Sequence, residues 1–264
     1  MTSIAQIQFE LQKHYPEISV FCFDELDSTN HYLKQYATKQ LKPAFCFSSS
    51  QNAGYGQQSR AWQSDFSSIT FSLLLHINTP LKDIDGLTQL VALKLVESLT
   101  DFSMQDFKLK WPNDLYVDKK KAGGILIECV SFSETDCWLV VGVGLNNGLS
   151  SKIVDPLTGK LNQPGSINLL KTDILDLLNN VIAKQLILAD RFERGLFKAY
   201  SVNYALVDFF KLEQSVIVYD SAIKQLGLYK GLTDNGELLV EIEGTICTFR
   251  SGMTSIRPIS NEHD

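Results

Sequence analysis

Four short polar stretches interrupt otherwise apolar runs: DSTN at 27–30, QNAGYGQQSRAW at 51–62, KWPND at 110–114 with KKKAGG at 119–124, and GVGLNN at 142–147. In the second, Gly54 and Gly56 permit positive backbone angles and bring amide N–H groups close to an anion such as a phosphate or a carboxylate. A plain surface turn collects the same Gly, Asn, Ser and Gln for conformational reasons. Lys108, Lys110, Lys119, Lys120 and Lys121 cluster around WPND, an electropositive segment in an acidic chain. The solvated face of a strand pair would read the same way.

The elements around these stretches decide whether they meet. SVFCFDEL (19–26) and AFCFSSS (44–50) read as strands, and DSTN between them offers a helix N-cap ahead of HYLKQYA. ITFSLLLHI (69–77) is the continuous apolar run of a strand covered on both faces, so the 51–62 loop joins two core strands. GLTQLVALKLVESL (86–99) has helical spacing, and four strands follow between 107 and 145: FKLKW, DLYVD, GGILIECV and WLVVGVGL. Residues 147–168 read as a mobile loop, and an amphipathic helix spans roughly 171–193 before a break near Gly195. Strands with helices interspersed, without strict alternation, predict an α+β architecture. Beyond about residue 212 the chain reads as short strands, with DNGE at 234–237 as a hairpin turn, which predicts a larger α+β domain over 1–211 and a small all-β domain over 212–264. All four polar stretches then fall at strand ends, and such convergence on one sheet is what a small-molecule pocket requires.

The chain has 264 residues, 44% hydrophobic and 20% charged, enough to bury a large core with room for a small second domain. Its net charge of −6 argues against broad nucleic-acid affinity, which rests on Lys and Arg neutralising phosphates. No apolar run reaches the roughly 18 residues of a membrane span, and the N-terminus lacks the order of a signal peptide, so a cytoplasmic location is expected. Five cysteines without a C-x-x-C pair, mostly in strand-like runs, read as buried thiols, and four scattered histidines give little support to a metal or Ser-His-Asp hydrolase.

The order DSTN, then QxxGxGxxxRxW, then KWPNDL with K-x-G-G-I-L-I-E, then GxGxN resembles that of the biotin protein ligases, from about residue 20 to residue 258. The tail GLTDNGELLVEIEG…FRSGMTSIRP is similar to the family's C-terminal SH3-like domain. The resemblance implies a catalytic domain of the class II aminoacyl-tRNA synthetase type, a mixed sheet with helices, followed by a small SH3-like β-barrel. It also implies a two-step reaction. Biotin and Mg·ATP give biotinyl-5′-AMP and pyrophosphate, and a lysine amine on the biotin carboxyl carrier protein of acetyl-CoA carboxylase, or of another biotin-dependent carboxylase, then attacks the mixed anhydride.

By that similarity Lys121 reaches the biotin carboxylate and the phosphoryl oxygens, and Arg60 holds phosphate from the loop. Asp114 takes the position of a catalytic carboxylate that binds Mg²⁺ or orients the incoming amine, with Asn113 fixing its geometry. Ser28, Thr29, Asn30 and Gln51 satisfy the ureido ring of biotin, while Ser28 or Thr29 also serves as a helix cap. Gly54, Tyr55, Gly56 and Gln57 close over biotin, and Gly123, Gly124, Gly142 and Gly144 let backbones pass close to it. Trp111 and Trp62 are assigned first to packing, Trp62 and Asn146 also standing beside the adenylate. The loop 51–62 and the 147–168 stretch are expected to order around biotinyl-AMP.

Two departures qualify the resemblance. Family members commonly read GRGRxGR where this chain reads GYGQQSR, so Tyr55 and Gln57 replace arginines and weaker retention of biotinyl-AMP is expected. The segment ahead of DSTN is too short for a winged helix-turn-helix, so a monofunctional ligase without DNA binding is expected, monomeric or homodimeric. A lipoate or octanoate ligase of the same fold and a non-catalytic biotin-binding protein are the alternatives.

Overall fold

The computed structural model describes residues 3–62, 64, 68–148, 153–154, 161–162, 164–169, 174–221, 223–252 and 254–259. Helix α1 (Ile4–His14) leads into strand β1 (Ser19–Leu26), helix α2 (Thr29–Ala37) and strand β2 (Ala44–Gln51). Strand β3 (Ser68–Ile77), helix α3 (Leu87–Leu99) and strands β4 (Phe107–Lys110), β5 (Asp114–Val117), β6 (Lys120–Phe132) and β7 (Cys137–Asn146) follow. The two-residue strands β8 (Ile153–Val154) and β9 (Leu161–Asn162) pair with each other. Of the predicted 147–168 loop, residues 149–152, 155–160 and 163 lie outside the described residues. Helices α4 (Ile174–Arg191) and α5 (Phe197–Val207) precede strands β10 (Ser215–Asp220), β11 (Ile223–Leu232), β12 (Leu238–Ile242), β13 (Thr245–Phe249) and β14 (Thr254–Pro258).

The first seven strands form one mixed sheet in the order β1-β2-β3-β7-β6-β5-β4, parallel only between β1 and β2. Its two faces differ because side chains alternate along each strand. On one face Phe45, Leu73, Val141 and Ile125 join Leu90, Leu93, Leu177 and Val181 of α3 and α4 in the main core. On the other, Cys46, Leu74 and Val140 pack against Leu33 and Ala37 of α2. Further along that second face the same alternation gives Ser48 and Ser50 on β2, Ser72 and Thr70 on β3, and Gly142 and Gly144 on β7. The apolar floor under α2 therefore passes into a floor of small and polar residues, and there the cleft opens.

The last five strands form an antiparallel sheet, β13-β12-β11-β10-β14, around Val216, Val218, Tyr229, Leu238, Val240 and Ile256. The expected closed barrel is not observed. Among the described residues the edge strands β13 and β14 are not hydrogen-bonded to each other, so the sheet stays open. Trp111 completes this second core, only 2% exposed, and its Nε1 donates to the Gly236 carbonyl at 3.0 Å. Of the cysteines, Cys22, Cys46 and Cys137 are buried as expected, whereas Cys129 is exposed at the bulged end of β6. No helix among the described residues is long and apolar enough to cross a membrane.

Candidate active site

The cleft holds about 400 Å³ and lies between the polar end of the second sheet face, the 51–62 loop and the C-terminal sheet. Its floor is a row across the large sheet: Thr70 opposite Gly144, Gly144 opposite Gly124, Gly124 opposite Asp114, and Asp114 opposite Lys110. The glycines leave the space that a side chain would fill. A Cβ on Gly144 would lie 2.5 Å from the Trp62 ring, and one on Gly142 would lie 2.0 Å from Asn30 Oδ1.

Lys121 enters this floor through a bulge. Strict alternation would put residues 121 and 124 on opposite faces, but the register shifts between Leu115 opposite Gly123 and Tyr116 opposite Lys121. The additional residue, Ala122, is fully buried. Lys121 is thereby turned to the face of Gly124, and its Nζ lies 2.6 Å from Asp114 Oδ1. Asn113 fixes the turn beside Asp114 by donating from Nδ2 to the Ile125 carbonyl at 2.6 Å, while its own carbonyl accepts from the Ile125 N–H at 2.9 Å.

At the other end, Ser28 caps α2 by accepting from the His31 N–H at 3.3 Å. The Gln51 side-chain oxygen accepts from the Thr29 N–H at 2.7 Å and from its hydroxyl at 3.2 Å. The Ser72 hydroxyl donates its one proton to Asn30 Oδ1 at 2.6 Å and lies within hydrogen-bond distance of Thr29 Oγ1, at 2.7 Å. Sequence reading marked Ser28, Thr29, Asn30 and Gln51 but missed Ser72. Its signal was there: Ser68, Thr70 and Ser72 alternate with apolar residues through the first half of a largely apolar strand.

The loop folds back on itself. Tyr55 bridges Ala61, the Gly56 N–H donates to the Arg60 carbonyl at 2.8 Å, and the Trp62 N–H donates to the Gly54 carbonyl at 2.9 Å. Gly54 lies behind Trp62, where a Cβ would meet the Trp62 carbonyl at 2.9 Å. Tyr55, Gly56, Gln57, Arg60 and Trp62 line the cleft, and Arg60 donates to Gln58 Oε1 at 2.8 Å from an exposed position. Tyr55 does not point to solvent. Its hydroxyl donates to Glu128 Oε2 at 2.8 Å, an acceptor that sequence reading did not mark although it closes the quoted K-x-G-G-I-L-I-E run.

Asn146 stands apart from the cleft wall. It is 6% exposed and donates to the carbonyls of Gly165 and Lys121 at 3.2 and 3.4 Å, holding residues 164–167 against β6. The C-terminal sheet supplies a wall that sequence reading missed: Tyr219, Ser221, Thr254 and Ser255 face the same space. A resident metal finds little here, since no group of three His, Cys, Asp or Glu side chains gathers among the described residues. One carboxylate, Asp114, suits a Mg²⁺ that arrives already bound to substrate phosphates.

Residues 21–146, the segment that carries most of this cleft, match the family model of the biotin/lipoate A/B protein ligase family. That segment is a domain of this family. The chain is 27% identical over 243 residues to the bifunctional ligase/repressor BirA of Escherichia coli, covering 90% of this chain and 74% of the relative. Over 227 residues it is 30% identical to the chloroplastic biotin–protein ligase 1 of Arabidopsis thaliana, covering 81% of this chain and 60% of the relative. Its fold matches that of the biotin protein ligase from Aquifex aeolicus in complex with biotin and ATP, with a TM-score of 0.69, 24% identity and coverage of 91% of this chain and 99% of that one.

Proposed function

We propose that the protein is an ATP-dependent biotin protein ligase, which joins biotin to AMP and transfers it to one lysine of a biotin carboxyl carrier protein. The observation that carries this reading is the meeting of Lys121 and Asp114 on a glycine floor, with the Thr29, Asn30 and Gln51 set at its far end. An apolar acid with a polar ring at one end and a carboxylate at the other fits that arrangement. Asn30 and Thr29 meet the ureido ring, Gly142 and Gly144 let Asn30 and Trp62 settle onto the sheet beside the bicycle, and the Lys121 ammonium meets the carboxylate.

In the first step a carboxylate oxygen of biotin attacks the α-phosphorus of ATP and pyrophosphate leaves. Charge grows on the α-phosphate as the bond forms, and preorganised cations and N–H groups lower that barrier. Lys121 supplies one cation and Arg60 another; Mg²⁺ enters with ATP as part of the substrate, with Asp114 as its protein carboxylate. In the second step the carrier lysine attacks the anhydride carbon and AMP leaves, and Asp114 orients the amine. Asn146 serves the adenylate indirectly, through the 164–167 segment that it holds.

The catalytic domain, 1–211, is of the class II aminoacyl-tRNA synthetase type, and the C-terminal domain, 212–264, is SH3-like with an open sheet. The reaction runs in the cytoplasm. The family model also spans lipoate ligases. Biotin and lipoate are therefore supplied in parallel to the protein with Mg·ATP and a purified carboxyl carrier domain, and pyrophosphate and acylated carrier are measured in the same tube. Release and transfer with biotin alone are expected. Lipoate-dependent release would move the substrate to lipoate, and biotin binding with no release would make the protein a binder.

A further inference from the structure

Glu128 lies on β6 opposite Val140, on the sheet face that carries the cleft. Its carboxylate accepts three donors, two from α2 and one from the 51–62 loop. Lys34 of α2 reaches Oε1 at 2.7 Å, and Asn30 Nδ2 and the Tyr55 hydroxyl reach Oε2 at 2.9 and 2.8 Å. Burial alone would raise the carboxyl, but these donors outweigh it and hold Glu128 below the usual carboxylate range. The ionised form is the one that binds all three.

The consequence for Asn30 is geometric. Its Oδ1 accepts from Ser72 and its Nδ2 donates to Glu128, so both ends of the amide are fixed above Gly142. The consequence for the loop is a tether. Between Gln51 and β3 the loop returns through the Tyr55–Ala61 bridge, and the Tyr55 hydroxyl joins that small hairpin to the sheet. Its tip reaches the turn between β13 and β14 through Gln58 Nε2 and the Gly252 carbonyl, at 3.2 Å between exposed groups.

We propose that Glu128 is a positioning residue for the reaction, one carboxylate that orients Asn30 and latches the 51–62 loop over the cleft through the Tyr55 hydroxyl. This rests on the function proposed above, and it assigns a task to a tyrosine that replaces the usual arginine. A phenol donating to a half-buried carboxylate holds the loop by a charge-assisted bond, with no cation required at residue 55.

The test is a cycle of Y55F, E128A and the double variant, read in two ways. The first is the rate of native-state trypsin cleavage at Arg60 without ligand, followed by mass spectrometry, since cleavage needs the hairpin open. The second is KM for biotin against kcat in pyrophosphate release. Loss of a hydrogen bond to a charged group predicts that Y55F speeds cleavage by about tenfold or more and raises KM by a similar factor, more than it lowers kcat. In the E128A background Y55F is expected to change neither. Equal effects of Y55F in both backgrounds, or unchanged cleavage at Arg60, would overturn the latch. Should E128A not fold, Y55F alone decides through the cleavage rate. Wild-type protein that releases no pyrophosphate with biotin would sink the proposed function, while the cleavage arm would still report on the latch.

Discussion

The two charges on the cleft floor have separable tasks. Lys121 and Asp114 are 2.6 Å apart, so removing either leaves the other without its partner. Truncating Lys121 also strands the carboxylate of the bound acid, and lost charge-assisted bonds of this kind cost about 1.5–3 kcal/mol. K121A is therefore expected to weaken biotin binding by tenfold or more and adenylation with it, as titration calorimetry and pyrophosphate release would show. D114N keeps shape and hydrogen-bonding capacity but loses charge. It should bind biotin nearly as well as wild type while labelling the carrier far more slowly; full labelling activity would remove the catalytic assignment. Gln57 is a third residue-scale case. It lines the cleft without charge, and Q57R should restore a Coulomb contact to the adenylate and so reduce biotin deposited on a bystander such as albumin.

At the scale of elements, the glycines of β7 set the depth of the cleft. G142A would place a methyl 2.0 Å from Asn30 Oδ1, which must then leave both Ser72 and Glu128. Overpacking of this kind costs about 1–3 kcal/mol, so a lower melting temperature and loss of biotin binding are expected together. G56A is the contrast. Its Cβ would meet nothing nearer than the Arg60 carbonyl at 3.9 Å, and its melting temperature should match wild type. Strands β2, β3 and β7 were legible in the sequence because they are buried on both faces and so read as apolar runs. Helix α3 was legible from its spacing, and Gly195, at a φ of 81°, marks the predicted break. Helices α1 and α5 were not marked: α1 buries only Ile7 and Leu11, and α5 only Phe197 and Tyr204, too narrow a stripe to stand out. The facing of Lys121 was illegible because the bulge at Ala122 breaks the alternation. Glu128 was hidden for another reason, since its three donors come from residues 30, 34 and 55, and only the pairing of β6 with β7 brings them together.

At the scale of the whole molecule, the cleft needs the C-terminal sheet as a wall, and Trp111 and Asp208 are among the side chains that join that sheet to the rest. Trp111, of the KWPND run, is buried in the C-terminal core, so the turn that carries Asp114 is anchored there. Asp208 is the second. Its backbone pairs with Leu109 of β4, and its carboxylate accepts from the Tyr229 hydroxyl of β11 and, at 3.0 Å, from the Phe210 N–H. Burial pushes its carboxyl up from 3.8 to about 6, against the pull of the Tyr229 bond, the Phe209 and Phe210 amides and Lys108. A carboxyl raised on folding holds its proton longer in the native state than in the unfolded chain, so its contribution is fully present below the unfolded value near 3.8 and is lost as pH rises through about 6. The ceiling of that loss is about 3 kcal/mol. Asparagine at this position keeps an acceptor for Tyr229 and cannot ionise. The difference in melting temperature, D208N minus wild type, should therefore climb between pH 4.5 and pH 7 and level off above it. Parallel curves would mean that Asp208 ionises normally at the junction. A climbing difference would mean that near neutral pH the native protein keeps a buried charge at the seam that holds Tyr219 and Thr254 over the cleft. D208N should then steady that wall and leave Lys121 and Asp114 untouched.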